Sequence, residues 1–289
     1  MRFSIVTPSF RSNAWLKLCI ASVADQGVEH EHLIQDAGSD DGTLDWLVHD
    51  SRVRAFVEKD QGMYDAINRG LRRASGEYLA YLNCDEQYLP GALAQVGAFF
   101  DRHPETDVLL ADAIIVNPDG RYLCHRQALT PRRTHTWVSG NLSLLTCATF
   151  FRRRILERGL FFNPAYRDLG DAEWVMRLLD ARVRFDCLPV VTTAFTDTGE
   201  NMNLKPNAQR ERAQLLASAP AWARWLRPLI IMHHRWRRFC AGHYFVRPCS
   251  YEIYTRQSPE RRVKIEVPHP TAIHQRYVPP VTFPPASSG

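Results

Sequence analysis

The first hundred residues alternate between short apolar runs and longer segments whose apolar residues recur every three or four positions. The short runs predict four strands, at residues 3–8, 32–35, 54–57 and 78–82. The longer segments predict helices, at residues 13–26, 44–48 and 63–74. Strands that alternate with helices predict an α/β fold, with a mostly parallel sheet flanked by helices. Ligands of such sheets bind beyond the carboxyl ends of the strands.

Polar residues follow three of the four predicted strands. The clusters are Thr7–Phe10, Asp36–Thr43 and Asn83–Glu86. Because parallel strands end at the same edge of a sheet, hydroxyl and carboxylate groups from distant parts of the chain should meet there. This arrangement predicts a binding site.

The absence of a glycine-rich loop narrows the kind of ligand. No GxGxxG follows the first strand and no GxxxxGK[ST] occurs in the chain, which disfavours dinucleotide and P-loop phosphate binding. The clusters suit a nucleotide whose base and ribose bond to Asp and whose phosphates are neutralised by a divalent metal. Asp85 is the predicted metal ligand, although Asp85 and Glu86 alone also fit a solvated turn.

The pattern changes twice further along the chain. Residues 108–116 predict strands with a turn at 117–120, and residues 171–181 predict a helix. We therefore predict a catalytic domain over 1–204, with a nucleotide-binding half at 1–100 and an acceptor half at 101–204. Residues 205–289 are predicted to form a basic helical extension that ends in a Pro-rich, extended tail.

Composition indicates the cellular compartment of the protein. The 289 residues include seven cysteines without a CxxC pair, which favours neither zinc nor disulfides. No apolar run reaches a membrane span of roughly 18 residues, and the start lacks a signal-peptide layout, so we expect a cytoplasmic protein.

Charge is unevenly distributed along the chain. Residues 1–200 carry a net charge of −5 and residues 201–289 one of +10. The Arg- and Trp-rich segment 222–247 predicts peripheral contact with the inner face of the cytoplasmic membrane. Packing against the catalytic domain explains its aromatic residues equally well. No nucleic-acid-binding module is visible.

Four ordered motifs in the first ninety residues resemble those of the family 2 glycosyltransferases of the GT-A fold. They are Ser4–Phe10, Asp36–Thr43, Asp60–Gly70 and Leu82–Glu86. The resemblance implies a nucleotide-sugar donor, most often a UDP-sugar, and a divalent metal, Mn²⁺ or Mg²⁺. It also implies an acceptor that is a glycan or a lipid-linked saccharide.

The resemblance assigns roles to individual residues. It places Asp85 on the metal and Arg69 near a phosphate, and it assigns the remaining donor contacts to Thr7, Pro8, Ser9, Asp36, Ser39, Asp65 and Asn83. The usual Asp-x-Asp-Asp metal motif reads Asn83-Cys84-Asp85-Glu86 here, which keeps the last aspartate of the triplet and removes one charge. A His-Gln pair that many relatives carry is replaced by residues 146–149, which puts acceptor recognition in doubt.

The segment around residues 148–153 and 166–174 resembles the acceptor half of these enzymes. There an aspartate at the start of a helix is the catalytic base, a role that the resemblance gives to Asp171, with Asp168 and Glu173 as substitutes. Helix capping is an alternative role for Asp171. The implied reaction is an inverting single displacement. Two alternatives remain. One is a nucleotidyltransferase, although this chain lacks the basic glycine-rich loop that follows the first strand of those enzymes, and the other is a catalytically silent nucleotide-binding or scaffold protein.

Overall fold

A computed structural model describes residues 1–140, 142–199 and 206–274. Its strands are β1 Phe3–Ser9, β2 His30–Asp36, β3 Arg54–Val57, β4 Tyr78–Tyr81, β5 Glu86–Tyr88, β6 Val108–Val116, β7 Tyr122–Arg126, β8 Thr149–Arg152, β9 Phe185–Thr196, β10 Cys249–Thr255 and β11 Ser258–Val267. Its helices are α1 Asn13–Ala24, α2 Thr43–Leu47, α3 Met63–Arg73, α4 Ala92–Arg102, α5 Arg133–Ser139, α6 Arg154–Glu157, α7 Gly170–Asp180, α8 Pro206–Ser218, α9 Ala221–Trp225 and α10 Arg227–Cys240.

Nine of the described strands form one sheet in the order β3-β2-β1-β4-β8-β6-β9-β5, with β7 paired to β6. The first four strands are parallel, as predicted. In the second half β8 runs antiparallel between β4 and β6, while β6 and β9 run parallel. In register, Ser9 at the end of β1 lies beside Asp36 at the end of β2. The sheet therefore brings the first two polar clusters together.

Both faces of the sheet are buried. On β1, Val6 joins a core formed with α3 and α7, and its neighbour Ile5 joins one formed with α1 and α4. Helix α3 lies very close to β1, because a Cβ added at Gly70 would come within 2.4 Å of Cγ1 of Val6. Burial on both faces explains why these strands read as continuous apolar runs.

Helix α1 is tied to the second polar cluster. The backbone N–H of Asn13 donates to Oδ2 of Asp41 and its side-chain amide donates to the Asp41 carbonyl, both at 3.0 Å. Asn13 is the first helical residue, and no side chain caps the start of α1. The carboxylate of Asp41 accepts a hydrogen bond from a backbone N–H group of the first turn instead.

The C-terminal region contains a β-hairpin that the predicted helical extension does not include. Strands β10 and β11 pair antiparallel, and Tyr251, Ile253 and Val267 bury their side chains against Ile114 and Ala194 of the large sheet. Apolar and polar residues alternate from Cys249 to Ile253, and this was the signal available in the sequence. The Pro-rich tail was predicted over residues that lie mostly outside the described part of the chain.

Helices α8 and α10 pack on the acceptor half. Leu215 of α8 joins Leu169 and Ala172 at the start of α7, while Ile230 and Ile231 of α10 pack around Val138 of α5. The boundary at residue 204 stays a prediction, but these contacts attach α8–α10 to the predicted catalytic domain. Among the described residues, no helix combines the length and the apolar character needed to cross a bilayer.

Candidate active site

A cavity of about 840 Å³ opens where the strand ends meet. Four segments that carry the predicted polar clusters and motifs line it, together with Thr198. The lining residues are Pro8, Ser9, Phe10, Ser12, Trp15, Ala37, Lys59, Asp60, Gly62, Met63, Ala66, Asn83, Cys84, Asp85 and Thr198. The structure thus brings four of the sequence-predicted residues to one cavity, namely Pro8, Ser9, Asn83 and Asp85.

The loop after β2 is organised around the buried carboxylate of Asp36. Its Oδ1 accepts the N–H groups of Gly38 and Ser39 at 2.9 and 2.7 Å, and its Oδ2 accepts the hydroxyls of Ser9 and Ser39, both at 2.8 Å. Asp36 is fully buried. The carboxylate therefore shapes the wall of the cavity from behind Ser9.

Thr7 points into the core of the molecule. Its hydroxyl is fully buried and lies 2.9 Å from Nε2 of His32. Burial lowers the pKa of His32 to about 3, so this imidazole is neutral. The side chain of Thr7 does not line the cavity, unlike those of Pro8 and Ser9.

The turn from Asn83 to Glu86 presents Asp85 to the cavity. Glu86 points inward, and its Oε2 accepts the backbone N–H of Asn83 at 2.7 Å. The hydroxyl of Thr196, at the end of β9, donates to the carbonyl of Asp85 at 2.6 Å. Burial raises the pKa of both carboxyl groups, and the charge of Asp85 raises that of Glu86 further.

Asp85 fits a metal that takes most of its ligands from the substrate. Within the described residues, no three His, Cys, Asp or Glu side chains form a cluster that could hold a metal ion. Mg²⁺ commonly binds through one or two carboxylates together with substrate phosphates and water. A half-buried carboxylate with a raised pKa also gains from a cation, which stabilises its charged form.

The predicted phosphate contact Arg69 is engaged elsewhere. It pairs with Asp65 at 2.9 Å and lies 3.5 Å from Glu58, and neither Arg69 nor Asp65 lines the cavity. Asp65 also accepts the backbone N–H of Gln61, which holds the start of α3. Lys59 is the cation that lines the cavity, and the sequence-based assignment missed it because it precedes the recognised motif.

Asp171 lies in the first turn of α7, half-buried, beside the donor half. Its backbone N–H donates to the phenol oxygen of Tyr64 at 3.1 Å, and Met63, next to Tyr64, lines the cavity. Gly170 permits this contact, because a Cβ there would come within 2.5 Å of the Tyr64 ring. Burial raises the pKa of Asp171 to about 6, which suits a proton acceptor near neutral pH.

The two substitutes for Asp171 are occupied by other groups. Asp168 accepts the side-chain amide of Asn207 at 2.9 Å, and Glu173 pairs with Arg177 at 2.7 Å. Leu169 and not Asp171 holds the cap position of α7, but Oδ1 of Asp171 accepts the backbone N–H of Ala172 at 2.8 Å in the first turn.

Glu211 of α8 holds the loop before Asp171. Its carboxylate accepts the backbone N–H groups of Arg167, Asp168 and Leu169 at 2.8, 3.1 and 2.7 Å. Glu211 is 6% exposed, and these bonds keep its pKa low despite burial. Sequence reasoning missed this residue, since no local pattern links it to a loop more than forty positions earlier.

A second cavity of about 840 Å³ lies between α1, α2 and the hairpin β10–β11. Its walls include Lys17, Trp46, Arg52 and Tyr254. None of the predicted site residues lines it, so the first cavity is the candidate active site.

Comparison with known proteins gives the family of the chain. The model of the family described as Glycosyl transferase family 2 matches residues 4–160, more than half of the chain. A relative from Mycobacterium tuberculosis, a PGL/p-HBAD biosynthesis glycosyltransferase, is 35% identical over 186 residues, covering 61% of this chain and 68% of the relative.

Solved structures show the same fold. The structure of S. aureus TarS 1-349 in complex with UDP superposes with a TM-score of 0.59 at 19% identity, covering 86% of this chain and 76% of that one. The mannosyltransferase PcManGT from Pyrobaculum calidifontis, in complex with GDP-Man and Mn²⁺, gives a TM-score of 0.54 at 16% identity, covering 79% and 68%. The chain has the GT-A fold, belongs to glycosyl transferase family 2 and is a glycosyltransferase.

Proposed function

We propose that this glycosyltransferase moves a hexosyl or N-acetylhexosaminyl group from a UDP-sugar to a hydroxyl of a glycan or lipid-linked saccharide, with inversion at the anomeric carbon. The observation that carries the proposal is the cavity at the strand ends, which Ser9, Lys59 and Asp85 all line. One carboxylate and one ammonium group suit a metal-bound diphosphate.

The base and ribose of the donor would bind at Pro8 and Ser9, behind which Asp36 fixes the loop. Asn83 would meet the ribose or the sugar through its amide. A Mn²⁺ or Mg²⁺ ion held by Asp85 would stabilise the negative charge that develops on the leaving diphosphate. TarS was solved with UDP, and PcManGT was solved with GDP-Man and Mn²⁺. These ligands of other proteins support the choice of ligands to test on this chain.

Asp171 would act as the general base. The acceptor hydroxyl gives its proton to the Asp171 carboxylate as its oxygen bonds to the anomeric carbon, and the bond from that carbon to the diphosphate breaks with both electrons going to the diphosphate. With a pKa near 6, Asp171 is ionised at neutral pH and able to take the proton. We place the reaction in the cytoplasm at a membrane surface that segment 222–247 contacts.

Turnover of sugar nucleotides tests the proposal. Hydrolysis and binding of UDP-, GDP- and TDP-sugars would be measured with Mn²⁺, with Mg²⁺ and with EDTA. We expect UDP-sugars to be preferred and the metal to be required. Preference for another nucleotide would correct the donor, whereas no binding and no turnover of any sugar nucleotide would favour the catalytically silent alternative.

A further inference from the structure

Five large apolar side chains form a stripe on the outer side of α9 and α10. They are Trp225, Leu229, Met232, Trp236 and Phe239, which we call the apolar stripe. Their spacing of four, three, four and three positions places them on one side of a helix. Each is between 49% and 82% exposed, although residues of this size are usually buried in a soluble domain.

The stripe spans the junction of the two helices at Leu226. The backbone N–H of Leu226 donates to the Trp222 carbonyl at 2.9 Å, and the Leu226 carbonyl accepts the N–H of Ile230 at 3.0 Å. Leu226 itself has φ −83° and ψ 9°, outside the helical range, and Pro228 has no N–H to donate, so α9 and α10 are two consecutive helices joined at Leu226. Trp225 is the last residue of α9 and is 82% exposed, and the other four residues of the stripe belong to α10.

The opposite side of α10 contacts the rest of the protein, and these contacts keep the stripe facing outward. The guanidinium of Arg237 donates to both oxygens of Thr130 at 3.0 Å, and the ring of His234 stacks on His135 with centroids 3.6 Å apart. Ile230 lies on this inner side, in the cluster around Val138. Burying the stripe by rotating the helix would break all of these contacts.

The positive charge around the stripe indicates which kind of surface it binds. Residues 212–251 contain seven arginines and neither Asp nor Glu. Positions beside the stripe hold Pro228, His233 and Arg235, so two copies packed stripe to stripe would lack the opposite charges that pair helices. An anionic lipid surface supplies the missing negative charge and also accepts Trp side chains among its headgroups.

We propose that the apolar stripe rests on an anionic phospholipid bilayer, with α9–α10 parallel to the surface. Trp225 and Trp236 lie at the level of the headgroups, and Arg224 and Arg235 flank them toward the phosphates. This membrane contact extends the proposed function. The contact rests on the proposed function only where the acceptor is identified as a lipid-linked saccharide.

The stripe belongs to the acceptor side of the molecule. Trp137 of α5 packs both against Leu169 and Ala172 at the start of α7 and against the cluster that includes Ile230 of α10. One helix therefore separates the membrane contact from the helix of Asp171. A saccharide carried on a lipid would thus approach from the side of the candidate base.

Vesicle binding by the full chain tests the proposal. Sedimentation with vesicles of phosphatidylcholine mixed with phosphatidylglycerol is compared with sedimentation with phosphatidylcholine alone. We expect binding to the mixed vesicles that weakens as salt rises. The double variant Trp225→Glu/Trp236→Glu should lose at least about tenfold in binding, and Arg224→Gln/Arg235→Gln should lose binding while the aromatic side chains remain.

Val48→Glu is the matched control, since Val48, directly after α2, is 55% exposed and lies outside the stripe. It should bind vesicles like the parent chain. Circular dichroism and hydrolysis of a soluble donor should be unchanged in every variant, which separates loss of docking from loss of the fold or of the proposed chemistry. Absent binding, or equal binding by the stripe variants, would overturn the proposal. So would a dimer in light scattering that the Trp substitutions dissociate while vesicle binding stays intact.

Discussion

The phenol oxygen of Tyr64 accepts the backbone N–H of Asp171 at 3.1 Å, which joins the helix at the donor cavity to the helix that carries the candidate base. Tyr64 is 2% exposed, and its ring stacks on Phe162 at 5.7 Å. Its position is therefore fixed by packing. A rigid contact of this kind holds the first turn of α7 relative to the donor.

Replacement of Tyr64 by Phe should slow sugar transfer and leave donor binding unchanged. Only the hydroxyl is removed, so the ring packing stays while the N–H of Asp171 loses its acceptor. A hydrogen bond of this kind contributes about 1 kcal/mol, which predicts a fall in kcat of several-fold. Steady-state kinetics and donor titration measure the two effects. A raised donor Kd with unchanged kcat would show that Tyr64 acts on the donor instead.

Glu211 should act as a positioning residue for Asp171. In Glu211→Gln one acceptor oxygen becomes an amide donor that faces the N–H groups of the 167–169 loop, so the loop loses its anchor. We expect kcat to fall by roughly tenfold or more, with little change in donor Kd. The exposed Gln214→Ala on the same helix is the control. Normal kcat in Glu211→Gln would remove Glu211 from this role.

The pH dependence of transfer should report the raised pKa of Asp171. A base must be deprotonated, so activity should rise as pH increases through about 6 and be lost below it. The measurement is kcat/KM against pH at saturating metal, with the fold monitored by circular dichroism. Glu173→Gln should keep the same acidic limb. Full activity in the folded parent chain down to about pH 4, near the ordinary value for Asp, would contradict the assignment.

Lys59 should contribute more to diphosphate binding than Arg69. Lys59→Ala is expected to raise the donor Kd by roughly tenfold, because a hydrogen bond to a charged group contributes about 1.5 kcal/mol or more. Arg69 already pairs with Asp65 and Glu58, so Arg69→Ala should have a smaller effect. Isothermal titration with UDP and Mn²⁺ compares the two variants. A larger rise in donor Kd for Arg69→Ala than for Lys59→Ala would instead assign the phosphate contact to Arg69.

Much of the donor half was predictable from local sequence signals. The strands β1 and β4 are buried, largely apolar runs, and parallel pairing alone sets Ser9 beside Asp36. Thr7 shows the limit of this reasoning. Both faces of a parallel strand are covered, so a hydroxyl one or two positions before the strand end can point into the core, and only the three-dimensional position of His32 reveals that it does.

The acceptor half depends on contacts between distant segments. The links from Glu211 to the 167–169 loop and from Tyr64 to Asp171 span 42 to 107 positions, and no helical or strand period reports them. The hairpin β10–β11 is different, since its alternating residues were visible but lay in a region dominated by arginine. Long-range polar contacts therefore account for most of what the sequence did not predict.

Metal-dependent donor binding by Asp85→Ala tests the central claim most directly. UDP-sugar binding would be titrated for the parent chain, for Asp85→Ala and for Asp60→Asn, which removes a charge from the lining of the same cavity, each with Mn²⁺ and with EDTA. We predict that the parent chain and Asp60→Asn bind the donor more tightly with Mn²⁺, and that Asp85→Ala binds it equally weakly in both conditions. A Mn²⁺ enhancement that survives in Asp85→Ala would contradict the account.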